Sequence, residues 1–431
     1  MLKFCATGDA LIHIPIPANH PGTDHLAEYI KEADVRITNL ETTITDYECF
    51  ASSFSGGTPL TTSPDRLEDI KRYGFQAVGC ANNHSMDFSF DGLLSTIRHL
   101  DNAGLLHAGT GRNLHEASSP AIIPTKEGTV AFLNQTAVYY GNDSGRAGNS
   151  HDGIVPRPGV NGLRHTEEYL VTKEQMDFLR QLADETMVNA EEELEQILGY
   201  SPADTDPEKF AFGREKFRLS DKTGRTSRCN ETDMKRMERA IRNARMGNRY
   251  VVVSLHSHQF KARAEYEPDY YVEEYARRCI DAGADAFIGT GNHLMKGIEI
   301  YKGKPIFYCL GNFIFHSEYV ARFSADVVEN FGFPMDLTGL EVVARRKERA
   351  TGSMESNDIY YKSIIPFWTF DGEELKEIKL LPIELGMKQP NGLRGFPSPA
   401  SPETVLDHLK MVCEPYGTKV EADGQFVKIV L

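Results

Sequence analysis

Five residues combine metal-ligand chemistry with one recurring position in the chain. Asp9, Glu41, Asn83, His256 and His293 each stand just after a short apolar run. Carboxylates, an amide oxygen and neutral imidazoles are what two adjacent divalent ions take as ligands, and one carboxylate can bridge both. Singly, each has an ordinary explanation, since Asp caps helices and Asn and His suit turns. Together they predict one pocket that binds one or two divalent ions. His84, directly after Asn83, can supply a proton or a positive charge beside the ions. His258 shares a strand face with His256, because side chains two apart along a strand point the same way. His13, four residues after Asp9, reads as a surface histidine.

The elements that must carry these residues follow from local pattern. Residues 79–87 read Gly-Cys-Ala-Asn-Asn-His-Ser-Met-Asp, between an apolar run at 75–78 and a helical stripe of Phe90, Leu93, Leu94, Ile97 and Leu100 that Gly104 ends. That is strand, loop, helix, with the polar residues at the strand's carboxyl end, where α/β proteins build sites. Residues 3–7, 35–38, 128–133, 250–255 and 286–289 read as further strands. Helices are expected over 24–33, from a Ser63-Pro64 start, and over 271–282. Residues 47–62, with Gly56-Gly57-Thr58-Pro59, read as an exposed loop. The βαβα rhythm predicts an α/β fold with a mixed or parallel sheet covered by helices.

The rhythm breaks over 140–248. Residues 141–165 are rich in Gly, Asn, Pro and Asp, and charged amphipathic helices follow over 173–199 and 231–246. In the second, Met234, Met237, Ile241 and Ala244 form a stripe of the kind that usually packs in a core. The block reads as a helical insertion that packs as a cap over or beside the site. Beyond it, two short strands flank a turn at Lys302-Gly303. Further on come a strand at 375–385, a helix capped by Ser401, and a hairpin turning at Asp423-Gly424.

Composition bounds the function. A net charge of −15 argues against a nucleic-acid partner, which needs a basic face. No apolar run approaches a membrane span and no signal peptide is visible, so a cytoplasmic protein is expected. The seven cysteines are odd in number, and no two form a C-x-x-C pair. They read as free thiols in a reducing compartment, which argues against a thiolate zinc site.

Several words of the sequence resemble the CapA-type poly-γ-glutamate capsule-biosynthesis family, within the calcineurin-like metallophosphoesterase superfamily. They are Gly8-Asp9, Asn39-Leu40-Glu41, Ala81-Asn82-Asn83-His84 with Asp87, Val253-Ser254-Leu255-His256, and Gly297-Ile298-Glu299-Ile300-Tyr301 through Gly311-Asn312-Phe313. Leu381-Pro382 and Arg394-Gly395-Phe396-Pro397 match the family's ending. The resemblance implies a calcineurin-like metallophosphatase fold of layered sheets flanked by helices. A metallophosphatase-like domain would span 1–320 with the 140–248 insertion, and a small α+β extension, 321–431, would pack on it. It implies Asp9, Glu41 and His293 around one metal, and Glu41, Asn83 and His256 around the other. His84 would be the proton donor, oriented by Asp87. One position departs: Thr290 stands where the family usually has histidine. His258 is the residue placed to replace that imidazole. The implied activity is metal-dependent hydrolysis of a phosphoester or a γ-glutamyl amide in a small-molecule, peptide or polyglutamate substrate. Two alternatives remain open at this point: a peptide epimerase using His84, His256 and His258 as acid and base, and a non-catalytic component of capsule synthesis.

Overall fold

The structure is a computed structural model that describes residues 1–431 except 54, 56, 140–144, 204, 262, 263 and 351–353. Gly56 of the expected loop and the first residues of the 140–248 block therefore lie outside the described residues. The fold is α/β, built on two sheets packed face to face with helices on both outer sides.

The larger sheet has ten strands. At its centre Leu2–Leu11, Val35–Leu40, Ala77–Gly79 and Leu106–Ala108 run parallel. Asn312–Phe315 also pairs in parallel with Leu2–Leu11, on the latter's carboxyl half. The six-stranded sheet has Gly128–Thr136, Tyr250–Ser257, Ala286–Gly291 and Lys304–Phe307 in parallel, edged by Ala121–Thr125 and Ile298–Tyr301. Between the sheets lie Phe4, Val130, Phe132, Val252, Trp368 and Phe370, with Phe4 stacked on Trp368 at 5.3 Å. Helices Pro21–Lys31 and Arg66–Arg72 bury Leu26, Ile30, Leu67 and Ile70 on the outer face of the larger sheet. Helices Glu231–Gly247 and Tyr270–Asp281 do the same for the smaller one.

Four sequence expectations shift. The helix expected to start at Ser63-Pro64 begins at Arg66 with Asp65 as its N-cap, because the Ser63 hydroxyl turns to the Asp65 carboxylate rather than to a helix N–H. Ser401 precedes a short 3-10 turn, Pro402–Thr404, and the helix proper is Leu406–Cys413. The 140–248 block is not purely helical. It contains a four-stranded sheet ordered Lys209–Phe212, Glu215–Leu219, His165–Val171, Gly224–Cys229 beside helices Lys173–Thr186 and Ala190–Ile197. Those short strands are rich in charged residues such as Glu167, Glu168, Arg218 and Arg228 and carry no sustained apolar alternation to mark them. Its last helix, Glu231–Gly247, belongs to the core: Met234, Met237, Ile241 and Ala244 are all buried against the smaller sheet.

The carboxyl-terminal region is more than a packed extension. Lys362–Asp371 pairs antiparallel with Leu2–Leu11, and Glu374–Glu384 and the Lys419–Asp423/Phe426–Val430 hairpin continue the same sheet. All seven cysteines are free, six of them buried. Among the described residues, no helix is long and apolar enough to cross a membrane.

Candidate metal centre

The parallel strands of both sheets end along one edge, and the polar residues collect there. Asp9 lies within the first strand, where the pairing slips between Ala6 and Asp9 and again after Asp9. Such bulges re-aim a side chain. Gly8 allows the neighbouring chain to close in, since a Cβ there would sit 1.7 Å from the Gly311 carbonyl. Asp9 N–H donates to that same carbonyl at 3.0 Å. Glu41 follows Val35–Leu40 directly, and His256 lies in Tyr250–Ser257. His293 comes two residues after Ala286–Gly291, in the left-handed region at φ 63. Backbone strain at a non-glycine residue persists only where the surroundings impose it.

The Asn82–Asp87 turn is fixed from several sides. Asn82 Nδ2 donates to the Leu40 carbonyl at 2.8 Å, and Asn82 Oδ1 accepts from His84 N–H at 3.1 Å. Asn134, on the other sheet, accepts from Ala81 N–H at 2.6 Å. The turn thus ties the two sheets together at the site.

Two groups of ligand atoms result, and they share Glu41. One is Asp9, Glu41 and His293; the other is Glu41, His256 and His258. His293 Nδ1 lies 3.4 Å from Asp9 Oδ2 and 3.9 Å from Glu41 Oε2. His256 Nε2 lies 3.6 Å from Glu41 Oε1, 2.7 Å from Asn83 Oδ1 and 3.2 Å from His258 Nε2. All five residues singled out from the sequence therefore converge, and His258 stands in the second group beside Asn83.

These groups could hold a metal ion. Both Glu41 oxygens are fully buried without a hydrogen-bond partner. Burial and the neighbouring Asp9 carboxylate hold the Glu41 carboxyl well above its usual range. Burial and the surrounding histidines push His256 and His258 well below the usual imidazole value, which leaves them neutral with lone pairs to offer. A buried carboxylate such as Glu41, with no donor to accept from, is costly unless positive charge lies beside it.

Supporting polar groups orient the ligands. Thr290 Oγ1 lies 3.0 Å from His256 Nδ1, so accepting a proton there leaves Nε2 free to face Glu41. Thr290 is thus behind His256 rather than in the missing ligand's place. Asn39 Nδ2 donates to Asp9 Oδ1 at 2.8 Å, and Gly291 N–H donates to Asp9 Oδ2 at 3.1 Å. Asn312 Oδ1 lies 2.8 Å from His293 Nδ1. Asn39 and Asn312 both sit inside the motif words quoted above, but their supporting roles had no separate signal in the sequence.

His84 Nδ1 meets Asp87 Oδ2 at 2.6 Å, and its Nε2 faces Glu41 Oε1 at 4.0 Å. Asp87 Oδ2 also accepts from Leu60 N–H at 2.7 Å. The carboxylate thereby fixes the ring and leaves Nε2 directed at the centre.

Above the centre opens a cavity of about 510 Å³. Asn83, His84, His258 and His293 form its polar floor. Leu60, Phe260, Glu265, Phe315, Arg346, Lys347 and Met354 are among its walls. Among the described residues, none of 145–248 lines it. Ser317, Arg346, Lys347, Ala350 and Met354 line it, and helix Gly339–Arg349 carries Arg346 and Lys347.

Residues 3–317 match the model of the family described as "Bacterial capsule synthesis protein PGA_cap". The chain is 32% identical, over 97% of its length and 91% of the relative's, to "Uncharacterized protein y4sH" of Sinorhizobium fredii. It is 21% identical to "Capsule biosynthesis protein CapA" of Bacillus anthracis, over 83% of this chain and 72% of that one. It is 25% identical to a "Probable polyglutamine synthesis accessory protein" of Mycobacterium tuberculosis, over 70% and 61%. With the family match covering most of the chain and the motif words in their places, the protein belongs to the CapA-type PGA_cap family of bacterial capsule synthesis proteins.

Proposed function

We propose that this chain is a divalent-metal-dependent hydrolase with a calcineurin-like centre, cleaving a phosphoester or a γ-glutamyl amide. The observation that carries it is Glu41: a buried carboxylate with neither oxygen hydrogen-bonded, set between two groups of ligand atoms. Asp9, Glu41 and His293 would hold one ion; Glu41, Asn83, His256 and His258 would hold the other. When bound, divalent ions supply Lewis acidity toward water and electrophile.

The remaining work falls to side chains. A substrate in the cavity would present its scissile group to Asn83, His84, His258 and His293, which line the cavity. His84, held by Asp87, presents Nε2 to the leaving group, where it donates a proton or steadies developing negative charge. Thr290, Asn39 and Asn312 hold the ligands in orientation, and the apolar walls Leu60, Phe260 and Phe315 limit water. The names of the capsule and polyglutamine relatives favour a glutamyl polymer or its peptides as substrate.

The test is hydrolysis of bis(p-nitrophenyl) phosphate and of γ-glutamyl-p-nitroanilide by protein stripped with chelator and reloaded with Mn, Zn, Fe or Mg. Restored, metal-dependent turnover of either probe supports the proposal. No turnover with any ion, in protein shown by calorimetry to bind it, would refute it.

A further inference from the structure

The 140–248 block stays off the cavity wall, yet one of its arginines reaches the loop that forms part of that wall. Phe260 and Glu265, both cavity residues, sit on the segment between Tyr250–Ser257 and helix Tyr270–Asp281. The two ends of this loop meet at a bridge between Phe260 and Pro268. Arg225, on the strand Gly224–Cys229 of the small sheet, lies against both ends. Its Nη1 and Nη2 donate to Asp269 Oδ1 and Oδ2 at 3.0 and 2.6 Å, and Nη1 also reaches the Phe260 carbonyl at 3.4 Å. Asp269 is fully buried and caps the following helix. Ser227, two residues along the same strand, adds a hydroxyl to Asp269 Oδ1 at 2.5 Å. From the other side Glu167 holds Arg225 at 2.8 Å.

A forked guanidinium across a buried carboxylate is among the most directional contacts a side chain makes. Here it spans the base of a loop whose first residue, His258, faces the metal centre. Other ties come from outside the inserted sheet: Tyr271 Oη donates to Gln259 Oε1 at 2.7 Å, Asn292 Nδ2 to the Glu265 carbonyl at 2.9 Å, Tyr360 Oη to Glu265 Oε1 at 2.9 Å and Lys261 Nζ to Glu273 Oε1 at 2.7 Å. The inserted sheet adds Arg225 and Ser227 at the base, beside the Phe260–Pro268 bridge.

We infer that Arg225 is a positioning residue: it staples the ends of the 258–269 loop and so sets the cavity wall formed by Phe260 and Glu265. The block thus governs substrate fit from outside the cavity, through one ion pair. This rests on the hydrolase proposed above only for its kinetic consequence; the ordering of the loop stands apart from it.

Hydrogen–deuterium exchange and kinetics on the metal-loaded full chain test it together. Arg225→Ala should speed exchange across 260–268 about tenfold, the loss of one charged tie at a loop base. With the phosphodiester probe it should raise KM about tenfold and change kcat by less than about twofold, the pattern of lost ground-state positioning. Arg225→Lys, which keeps the charge but not the fork, should recover part of both. Arg218→Ala is the control, since Arg218 pairs with Glu168 within the same small sheet. It should alter neither quantity. Unchanged exchange in Arg225→Ala, faster exchange without a KM change, or equal effects from Arg218→Ala would overturn the staple. If the wild type turns over neither probe while Arg225→Ala alone loosens 260–268, the hydrolase proposal fails and the staple stands.

Discussion

The two halves of the centre are built from different materials. The Asp9–Glu41–His293 side is rich in carboxylate oxygen, and its ligands are steadied by Asn39, Asn312 and the Gly291 N–H. The Glu41–His256–His258 side is rich in imidazole, with the Asn83 amide oxygen 2.7 Å from His256 Nε2. Oxygen ligands favour harder ions and imidazole favours borderline ones, so the two positions should differ in ion preference rather than merely in strength. On the imidazole side His258 Nε2 lies 3.2 Å from His256 Nε2, and the Thr290 hydroxyl braces His256 Nδ1 at 3.0 Å; under the proposed function His258 would be the ligand that stands in for an imidazole at position 290.

Removing what the sides share should cost the most. Glu41→Gln should eliminate binding of both ions by calorimetry and lower turnover of a responsive probe by about 10⁴-fold, because both positions lose their common ligand. Retention of either ion at wild-type affinity would mean that Glu41 bridges nothing. Next comes the group that belongs to neither side. His84→Ala should leave both ions bound and reduce kcat by about 10³-fold, within the range for losing a general acid. Asp87→Asn should do less, since it disorients the ring without removing it. A His84→Ala protein that loses an ion would make His84 a ligand instead.

The smallest effect should come from behind the imidazole side alone. Thr290→Val keeps the shape but removes the hydroxyl that pairs with His256 Nδ1 at 3.0 Å. About tenfold weaker binding is expected at the imidazole-rich position, with the Asp9–His293 position unmoved, as for other groups that orient a ligand. Equal weakening of both positions would show that Thr290 acts through the fold.

Much of this was legible because parallel strands announce themselves. Apolar runs such as 250–255 ended in polar residues at the same relative place, and that regularity carried Asp9, Glu41, Asn83, His256 and His293 into one cluster. His258 was visible for the same reason, by the two-residue period of a strand. The small sheet at 165–229 was not, because its short strands are rich in charged residues and what they bury includes polar side chains such as Glu168 and Ser227 rather than an apolar stripe. Arg346 and Lys347 gave no sign in the sequence of facing the cavity, because only the tertiary position of helix Gly339–Arg349 brings them to it. Supporting residues such as Asn39 and Asn312 lay in plain sight within the motifs, but support is a matter of distance, which spacing along the chain does not encode.

The count of bound ions is the most direct probe of a centre divided in this way. Metal-stripped wild type and His258→Ala should be titrated side by side by calorimetry, with metal content checked after dialysis. Wild type should bind two ions per chain, and His258→Ala should bind one, with that ion's affinity equal to one of the two seen in wild type. Two ions in both proteins would show that His258 is not the replacement ligand. One ion or none in the wild type would contradict the shared centre itself.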